Sequence, residues 1–246
     1  MVAAPSTHDL VVSVRGLSKT YQRLIALDAV GFSIRRGEML GLIGPNGAGK
    51  TTLFECLAGV LPADGGTVVL HGGAARSARS ETLFYLPDAI TPWPDERVEW
   101  VLQFTLGFFG GRRNLYADVV ERLGLAPMLP ARIGTLSKGQ RKRALLGVGL
   151  LTPQPLLLVD EPFEGLDLRQ SREMAATLRW HVADGRTLFV SIHQIQDAGR
   201  LCDRFVLLTG GRVCAEGTAE ELATQAAARA GARVPDDFAE VFLALT

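Results

Sequence analysis

Short apolar runs divide the chain into segments of strand length. Residues 38–43 and 156–159 are almost continuously apolar, and so is the run Thr187–Val190. Successive apolar positions over so few residues are typical of strands that are buried on both faces of a parallel sheet. The chain is therefore expected to be an α/β protein with a mostly parallel core sheet.

The pattern changes outside these runs. Residues 10–36 and 66–72 alternate valine or leucine with polar residues, which predicts a small antiparallel sheet. Beyond Gly217, Ala/Glu-rich sequence and apolar residues at helical spacing predict two C-terminal helices. We expect one domain over 1–246, with these parts: core and antiparallel sheet over 10–90 and 152–217, a helical subdomain over 91–151, and a C-terminal helical extension over 218–246.

Composition and charge limit the classes of function. The 246 residues include 26 basic and 26 acidic side chains, so the formal net charge is zero. Because such a chain has no broad electrostatic attraction for nucleic acid, we expect no nucleic-acid partner. Three unevenly spaced cysteines favour reduced thiols over a metal site. The longest apolar stretch, residues 100–110, is too short to span a bilayer, and residues 1–10 lack the pattern of a signal peptide.

The clearest chemical motif is a glycine-rich loop between a predicted strand and a predicted helix. A triphosphate needs several backbone N–H donors at one point, and glycine lets the chain turn and approach closely. Lys50 would place its charge on the β and γ phosphates, and Thr51 would offer a hydroxyl to Mg²⁺. A plain glycine-rich turn explains neither the lysine nor the hydroxyl nor the flanks. The predicted nucleotide contacts in this loop are Gly44, Pro45, Asn46, Gly47, Ala48, Gly49, Lys50, Thr51 and Thr52.

Two carboxylates end the apolar run at 156–159. Asp160 and Glu161 would lie at the carboxyl edge of a parallel sheet. Asp160 is expected to bind Mg²⁺, and Glu161 to polarise the water that attacks the γ-phosphate. An ordinary Asp-Glu helix start is the alternative. The glycine-rich loop alone leaves kinase, GTPase, motor and transport ATPase open, so the rest of the chain has to decide among them.

The segment L-S-K-G-Q-R-K-R at 136–143 resembles the signature sequence of ATP-binding cassette (ABC) ATPases, usually L-S-G-G-Q followed by basic residues. Its glutamine lies 20 positions before Asp160 (160 − 140), as the family requires. In the family this loop contacts ATP held by the other subunit, so the resemblance implies that Ser137, Gly139 and Gln140 bind nucleotide. Lys138 departs from the usual glycine at a variable position. A serine N-cap with glutamine at N3 is a structural alternative that is compatible with this role.

Other residues occur in the same order as further motifs of the family, although Asp88 differs from the residue that the family usually has there. The resemblance implies that Tyr21 stacks on adenine, that residues 165–167 cross a dimer interface, and that His193 holds the attacking water with Glu161. Asp88 stands where the family has a glutamine that senses Mg²⁺. Aspartate can ligate magnesium, although it is one methylene shorter and donates no hydrogen bond when ionised. We therefore expect Asp88 to be a metal ligand.

The resemblance covers the chain from about Leu10 onward and implies a P-loop NTPase of the ABC ATPase type. It implies an ATPase that uses ATP and Mg²⁺ and pairs with a second ATPase subunit, identical or not. Such a subunit drives transport through separate membrane-spanning subunits, at the cytoplasmic face of the membrane. The C-terminal sequence resembles that of exporter ATPases for drugs, lipids or polysaccharides. The alternatives are a soluble ABC ATPase that remodels a cytosolic assembly, such as one for iron–sulfur clusters, and a nucleotide-binding subunit that does not hydrolyse.

Aromatic residues are concentrated near the start of the predicted helical subdomain. In the family, this region receives short helices from the membrane subunits. Trp93 lies between two prolines and is expected to be exposed for a partner contact. Phe104 and Phe108, spaced i, i+4, are expected to belong to the core of the subdomain.

Overall fold

The computed structural model describes residues 9–71, 79–88, 90–192, 201–230 and 237–246. Within these ranges the chain forms a 3-stranded sheet, a 6-stranded sheet and a set of helices. The strands are β1 (Leu10–Tyr21), β2 (Leu24–Arg35), β3 (Met39–Ile43), β4 (Gly65–Leu70), β5 (Leu83–Leu86), β6 (Leu156–Val159), β7 (Thr187–Ile192), β8 (Arg204–Thr209) and β9 (Arg212–Gly217). The helices are α1 (Lys50–Ala58), α2 (Arg79–Thr82), α3 (Val98–Phe109), α4 (Tyr116–Arg122), α5 (Lys138–Leu151), α6 (Leu168–Ala183), α7 (Ala219–Ala230) and α8 (Phe238–Leu245).

The 6-stranded sheet is the core of the molecule, with strand order β5-β6-β7-β3-β8-β9. Neighbouring strands from β5 to β8 are parallel, and only the edge strand β9 pairs antiparallel. Every residue of β3, β6 and β7 is buried, as their continuous apolar sequences predict. The smaller sheet, β2-β1-β4, is antiparallel. The α/β fold with a mostly parallel core sheet, predicted from the sequence, is therefore confirmed.

The register of the core sheet brings the ends of several strands to one edge. Ile43 of β3 pairs with Ile192 of β7, and Val159 of β6 pairs with Val190 of β7. The residues that follow β3 and β6 therefore lie near one another at the carboxyl edge. This edge is where open α/β sheets bind their ligands.

Apolar side chains of the core strands are shared between two layers, because successive residues of a strand point to opposite faces. Leu40 and Leu42 of β3 belong to a cluster with α1 and the antiparallel sheet. Met39 and Ile43 belong to a cluster with α3, α5 and α6. The core sheet is therefore covered on both faces, as a parallel sheet requires.

The buried face of α3 corrects one prediction from the sequence. This face consists of Val98, Val101, Leu102, Thr105 and Leu106, at i, i+3, i+4, i+7 and i+8. Phe104 and Phe108 are 40% and 70% exposed, so the prediction that they form the core was wrong. They lie six and ten residues after Val98, which is about 240° and 280° around a helix of 3.6 residues per turn. They therefore lie beside the buried face of α3, on its exposed flank next to Val101, whereas Trp93 is 44% exposed as predicted.

The two C-terminal helices contribute buried side chains to the same apolar cluster as α3, α5 and α6. Val241, Phe242 and Leu245 of α8 are buried. The ring of Phe238 lies 4.6 Å from that of Phe205 in β8, measured between centroids. This is the apolar face that the spacing predicts. Among the described residues, no helix combines the length and the apolar character needed to cross a membrane.

Candidate active site

The glycine-rich loop between β3 and α1 lies tightly against backbone from other strands. A Cβ atom on Gly44 would lie 2.2 Å from the carbonyl oxygen of Leu208 in β8. A Cβ atom on Gly49 would lie 2.4 Å from the carbonyl oxygen of Ala26 in β2, and Gly49 also has φ +103°. Side chains at these two positions would clash with backbone, so the packing of the loop itself requires glycine.

Helix α1 begins directly after this loop, at Lys50. The first amides of a helix lack intrahelical acceptors, and the helix dipole adds partial positive charge there. The tip of the loop, residues 45–47, is exposed, so an anion can approach these amides. The ammonium group of Lys50 is buried and donates to the carbonyl oxygens of Gly44 (2.8 Å) and Pro45 (3.2 Å). The loop therefore offers the convergent donors that a phosphate group needs.

Asp160 lies beside the start of α1 and accepts hydrogen bonds from two hydroxyl groups. Thr51 Oγ1 donates to Asp160 Oδ2 (2.8 Å), and Ser191 Oγ donates to Asp160 Oδ1 (2.6 Å). Hydroxyl and carboxylate oxygens are the ligands that Mg²⁺ prefers, so this pair of side chains fits the metal expected from the sequence. Burial lowers the pKa of Lys50, and the negative charges of Glu161 and Asp160 oppose that shift. Both acids therefore act electrostatically on the lysine of the loop.

Glu161 has a backbone conformation that is rare for a residue with a side chain. Its φ is +47°, in the left-handed region, where a non-glycine residue costs of order 1 kcal/mol. The N–H of Glu161 donates to Ser191 Oγ (2.7 Å), and its carbonyl oxygen accepts a hydrogen bond from Lys142 Nζ. Both polar groups of Glu161's own backbone are thus bound by side chains of other elements, β7 and α5.

The signature segment forms the start of α5 and is a complete capping box. Ser137 Oγ accepts from the N–H of Gln140 (3.3 Å), and Gln140 Oε1 accepts from the N–H of Ser137 (2.9 Å). The structural alternative predicted from the sequence therefore exists, and Ser137 is nevertheless exposed. Gly139 packs beside Leu166, which a Cβ atom at Gly139 would approach to 3.2 Å. In the loop that contains Leu166, Asp167 caps α6 by accepting from the N–H of Gln170.

Two more predicted contacts are Tyr21 and His193. Tyr21 is at the end of β1, and its side chain is 41% exposed. Lys19 Nζ lies 5.8 Å from the centroid of its ring. An exposed aromatic face can stack on a base. His193 follows β7 but lies outside the described residues, so its role beside Glu161 remains a prediction.

Asp88 follows β5 and forms an ion pair with the signature helix. Lys142 Nζ lies 3.0 Å from Asp88 Oδ1. A cavity of about 820 Å³ also has Asp88 in its wall, together with Thr51 and Asp160. Asp88 therefore lines the same cavity as the other two predicted metal ligands, and its carboxylate is paired with Lys142 of α5.

Sequence reasoning missed Ser191 and Lys142, which connect the parts of this site. Ser191 lies in β7 between the apolar residues Val190 and Ile192 and is fully buried. A buried hydroxyl requires a hydrogen-bond partner, so its presence in the run was a usable signal. Lys142 has a weaker signal, because a lysine on a basic helix is normally solvated. Its partners come from segments that are distant in the sequence.

The protein-family model described as ABC transporter matches residues 27–164, more than half of the chain. The chain belongs to the ABC transporter family. The match includes the glycine-rich loop, the signature segment and both acids of this ABC ATPase. The prediction that the chain is an ABC ATPase is therefore confirmed.

Relatives of this ABC ATPase include proteins named for export and drug resistance. It is 35% identical over 222 residues to Nod factor export ATP-binding protein I of Ralstonia nicotianae, which covers 87% of this chain and 69% of the relative. It is 32% identical over 224 residues to the doxorubicin resistance ATP-binding protein DrrA of Mycobacterium tuberculosis, covering 87% and 67%. A solved ATP-binding subunit of an ABC transporter matches 96% of this chain and 99% of its own, with a TM-score of 0.84 and 27% identity.

These similarities fix the biochemical class of this ABC ATPase. It is an ATP-binding and ATP-hydrolysing subunit of a transporter, with export-type relatives. The roles of individual residues at the site, the metal and the partners go beyond that class.

Proposed function

We propose that this ABC ATPase drives export through separate membrane-spanning subunits, and that Glu161 is the general base of its ATP hydrolysis. One observation supports this function best. Asp160 accepts hydrogen bonds from Thr51 at the start of α1 and from Ser191, which in turn accepts from the N–H of Glu161. The phosphate-binding end of α1 and the proposed base therefore belong to one hydrogen-bonded unit.

The residues of the site would divide the binding of ATP among them. Backbone amides of residues 44–52 would contact the phosphates, with Lys50 on the β and γ phosphates and Tyr21 stacked on adenine. Thr51, Asp160 and Asp88 would hold Mg²⁺, which when bound adds positive charge to the phosphate oxygens. The metal assignment is supported by the cavity that Thr51, Asp88 and Asp160 line together.

Hydrolysis needs a water molecule that loses a proton as it attacks the γ-phosphate. The carboxylate of Glu161 would accept this proton, and His193 would help to orient the water. The hydrogen bonds that Ser191 and Lys142 make to the backbone of Glu161 support this role, because a base is effective when its position is fixed before the reaction. Removal of a general base typically costs about 10²-fold or more in rate.

We infer that two ATPase subunits assemble with each nucleotide between the phosphate loop of one and the signature segment of the other. Ser137 is exposed although its oxygen caps α5, and α5 points its N-terminus outward from the same position. Ser137, Gly139 and Gln140 would contact the γ-phosphate of the partner's ATP. If both subunits are copies of this chain, the interface is isologous.

An exposed set of rings supports a contact with membrane subunits. We call Trp93, Trp100, Phe104 and Phe108 the aromatic ladder. Ring centroids of Trp100 and Phe104 lie 5.1 Å apart and those of Phe104 and Phe108 lie 5.7 Å apart, with both pairs stacked. Trp93 contacts Phe104 edge-on at 5.9 Å. Aromatic side chains are common anchors of protein interfaces, and a contiguous exposed apolar patch is uncommon without a partner.

The membrane subunits are the occupant that the relatives favour for this surface. The relatives' names include export and drug resistance, which supports transport, in the outward direction, over the remodelling of a cytosolic assembly. Docking on membrane subunits would hold the ATPase at the cytoplasmic face as a peripheral protein. The zero net charge supports the absence of a nucleic-acid partner.

The decisive experiment for the chemistry compares Glu161→Gln with Lys50→Ala. Glu161→Gln should bind ATP normally and hydrolyse it about 10²-fold more slowly or worse, because it lacks a base. Lys50→Ala should lose affinity for nucleotide, because the loop loses its charge. ATP turnover and nucleotide affinity are measured on the purified subunit. Turnover at the wild-type rate in Glu161→Gln would contradict the proposed base. Co-purification with membrane proteins from detergent-solubilised membranes tests the transport role separately.

A further inference from the structure

We propose that Lys142 is a positioning residue for ATP hydrolysis, which fixes the backbone of Glu161 and the carboxylate of Asp88 relative to each other. This inference rests on the proposed role of Glu161 as the base. Lys142 lies in α5, four residues after Lys138, and its side chain is only 13% exposed. Its position makes it a link between the signature helix and the acids of the core.

The ammonium group of Lys142 meets three separate segments of the chain. It donates a hydrogen bond to the carbonyl oxygen of Glu161, directly after β6. It lies 3.0 Å from Asp88 Oδ1, after β5, and 3.6 Å from Glu164 Oε2, in the turn that leads to α6. The ammonium group of Lys142 therefore connects α5 to the loop after β5 and to the loop after β6.

The charges around Lys142 explain why a cation is needed there. Carboxylate oxygens of Asp88, Glu161 and Glu164 lie within 4.8 Å of one another. Three like charges at this distance repel and would drive their loops apart. Lys138 helps by pairing with Glu164 at 2.9 Å, and this contact is the main reason that the pKa of Glu164 is lowered. The more buried Lys142 is the cation that also reaches Asp88 and the backbone of Glu161.

The strained backbone of Glu161 makes the position of Lys142 relevant to catalysis. A φ of +47° persists only where the surroundings hold it. Ser191 binds the N–H of Glu161 and Lys142 binds its carbonyl oxygen. Without Lys142, the carbonyl oxygen of Glu161 would keep only its longer hydrogen bond from the N–H of Glu164 (3.3 Å), and the carboxylate would spend less time in its working position. The phosphate loop makes none of these contacts, so ATP binding should be spared.

The ion pair also gives a physical reason for aspartate at position 88. A neutral amide there could not form an ion pair with Lys142, whereas Asp88 does at 3.0 Å. We infer that Asp88 and Lys142 act as a matched pair. A change to either should therefore have much of the effect of changing both, since residues that act as a unit are not additive.

The test measures kcat, KM and the Kd of ATP for Lys142→Met and Lys142→Arg. Lys142→Met should lower kcat by about tenfold or more while KM and Kd change less than about twofold, as expected when geometry rather than binding is lost. Lys142→Arg should restore most of kcat because it keeps the charge and the donors. Arg179→Met is the control, because it removes a surface ion pair with Asp203 (2.9 Å) that links α6 to the segment before β8. Its kcat should equal that of the wild type.

A double-mutant cycle separates the matched pair from two independent effects. Asp88→Asn and Lys142→Met should together lower kcat, and shift the thermal midpoint of unfolding without nucleotide, by less than the sum of the single changes. If Lys142→Met does not fold, Lys142→Gln replaces it, because glutamine keeps a donor without the charge.

The possible outcomes distinguish this inference from the proposed function. A folded Lys142→Met with wild-type kcat, or with kcat and ATP affinity reduced equally, would overturn the positioning role. Additive effects in the cycle would overturn the matched pair. If Glu161→Gln is slow while Lys142→Met is normal, only this inference fails. If Glu161→Gln is normal, the proposed base itself fails.

Discussion

Acid should destabilise the fold through one buried histidine, His181 in the last turn of α6. The side chain is fully buried. Its Nε2 atom lies 3.2 Å from Arg186 Nη1 and 3.4 Å from Arg112 Nη1, so it accepts hydrogen bonds from guanidinium groups. Burial, followed by the positive charges of Arg186 and Arg112, lowers the pKa of His181 to about 3. Asp184 forms an ion pair with Arg112, whereas Arg186 donates to the carbonyl oxygens of Gly149 and Leu150.

The size of the effect follows from linkage between protonation and folding. In the unfolded chain, His181 takes up a proton below its ordinary pKa of 6.5, whereas in the folded chain it does so only near 3. Stability is therefore complete above pH 6.5 and is lost as the pH falls toward 3. Each pH unit in this window is worth about 1.4 kcal/mol, so the loss at pH 5 is about 2 kcal/mol relative to pH 8.

Urea unfolding of the wild type and of His181→Gln at pH 8 and pH 5 measures this effect. Both values lie away from the pI of about 6.9, where solubility is lowest. Glutamine can accept a hydrogen bond but does not titrate, so the wild type should lose about 2 kcal/mol more than His181→Gln between the two pH values. Acid groups common to both proteins cancel in this comparison. His71→Gln, at a partly buried histidine bound to Ser13, is the control for histidine removal. If the free energy of unfolding differs between the wild type and His181→Gln by the same amount at pH 8 and pH 5, the reasoning is refuted.

Two further predictions concern assembly. In the Glu161→Gln background, Ser137→Arg should abolish the dimer that ATP induces without preventing ATP binding, because a bulky cation at the start of α5 would block the partner's ATP. Sedimentation measures the dimer fraction. An unchanged dimer fraction in Ser137→Arg would exclude the composite site. Trp93→Ala and Phe108→Ala should each weaken pull-down of membrane subunits by about tenfold, the effect of losing roughly 1.4 kcal/mol of contact, and leave basal ATP hydrolysis unchanged. Leu243→Ala, at a 75% exposed position on α8, is the matched control. If both aromatic variants pull down membrane subunits normally, the aromatic ladder is not part of the interface.

Local patterns in the sequence were sufficient for the fold and the glycine-rich loop. A strand buried on both faces must be apolar at nearly every position, so β3 and β6 are recognisable without knowing their neighbours. The glycines of the loop are likewise fixed by the local need for close approach. These features depend on a few adjacent residues, which explains why sequence reasoning reached them.

Features that depend on contacts between distant segments were not accessible in the same way. The i, i+4 spacing of Phe104 and Phe108 shows that they share one face of α3, but not which face is buried. Five other positions of α3 make the buried face, so the ladder is exposed. The contacts of Lys142 also depend on distant segments. Its partners Asp88 and Glu161 follow two different strands, and only the pairing of β5 with β6 brings them together.

The same contacts give a physical reason for hydrolysis to depend on assembly. Helix α5 begins at Ser137, where the proposed partner's ATP would bind, and five residues later Lys142 holds the carbonyl oxygen of Glu161. At 1.5 Å per residue the two positions are separated by about 7.5 Å along one helix. Because a helix moves as a rigid element over this distance, a shift of α5 caused by binding of the partner's ATP at Ser137 would also move Lys142. The backbone of Glu161 is the strained point that receives the shift, so closure of the dimer and alignment of the base would be mechanically coupled through α5.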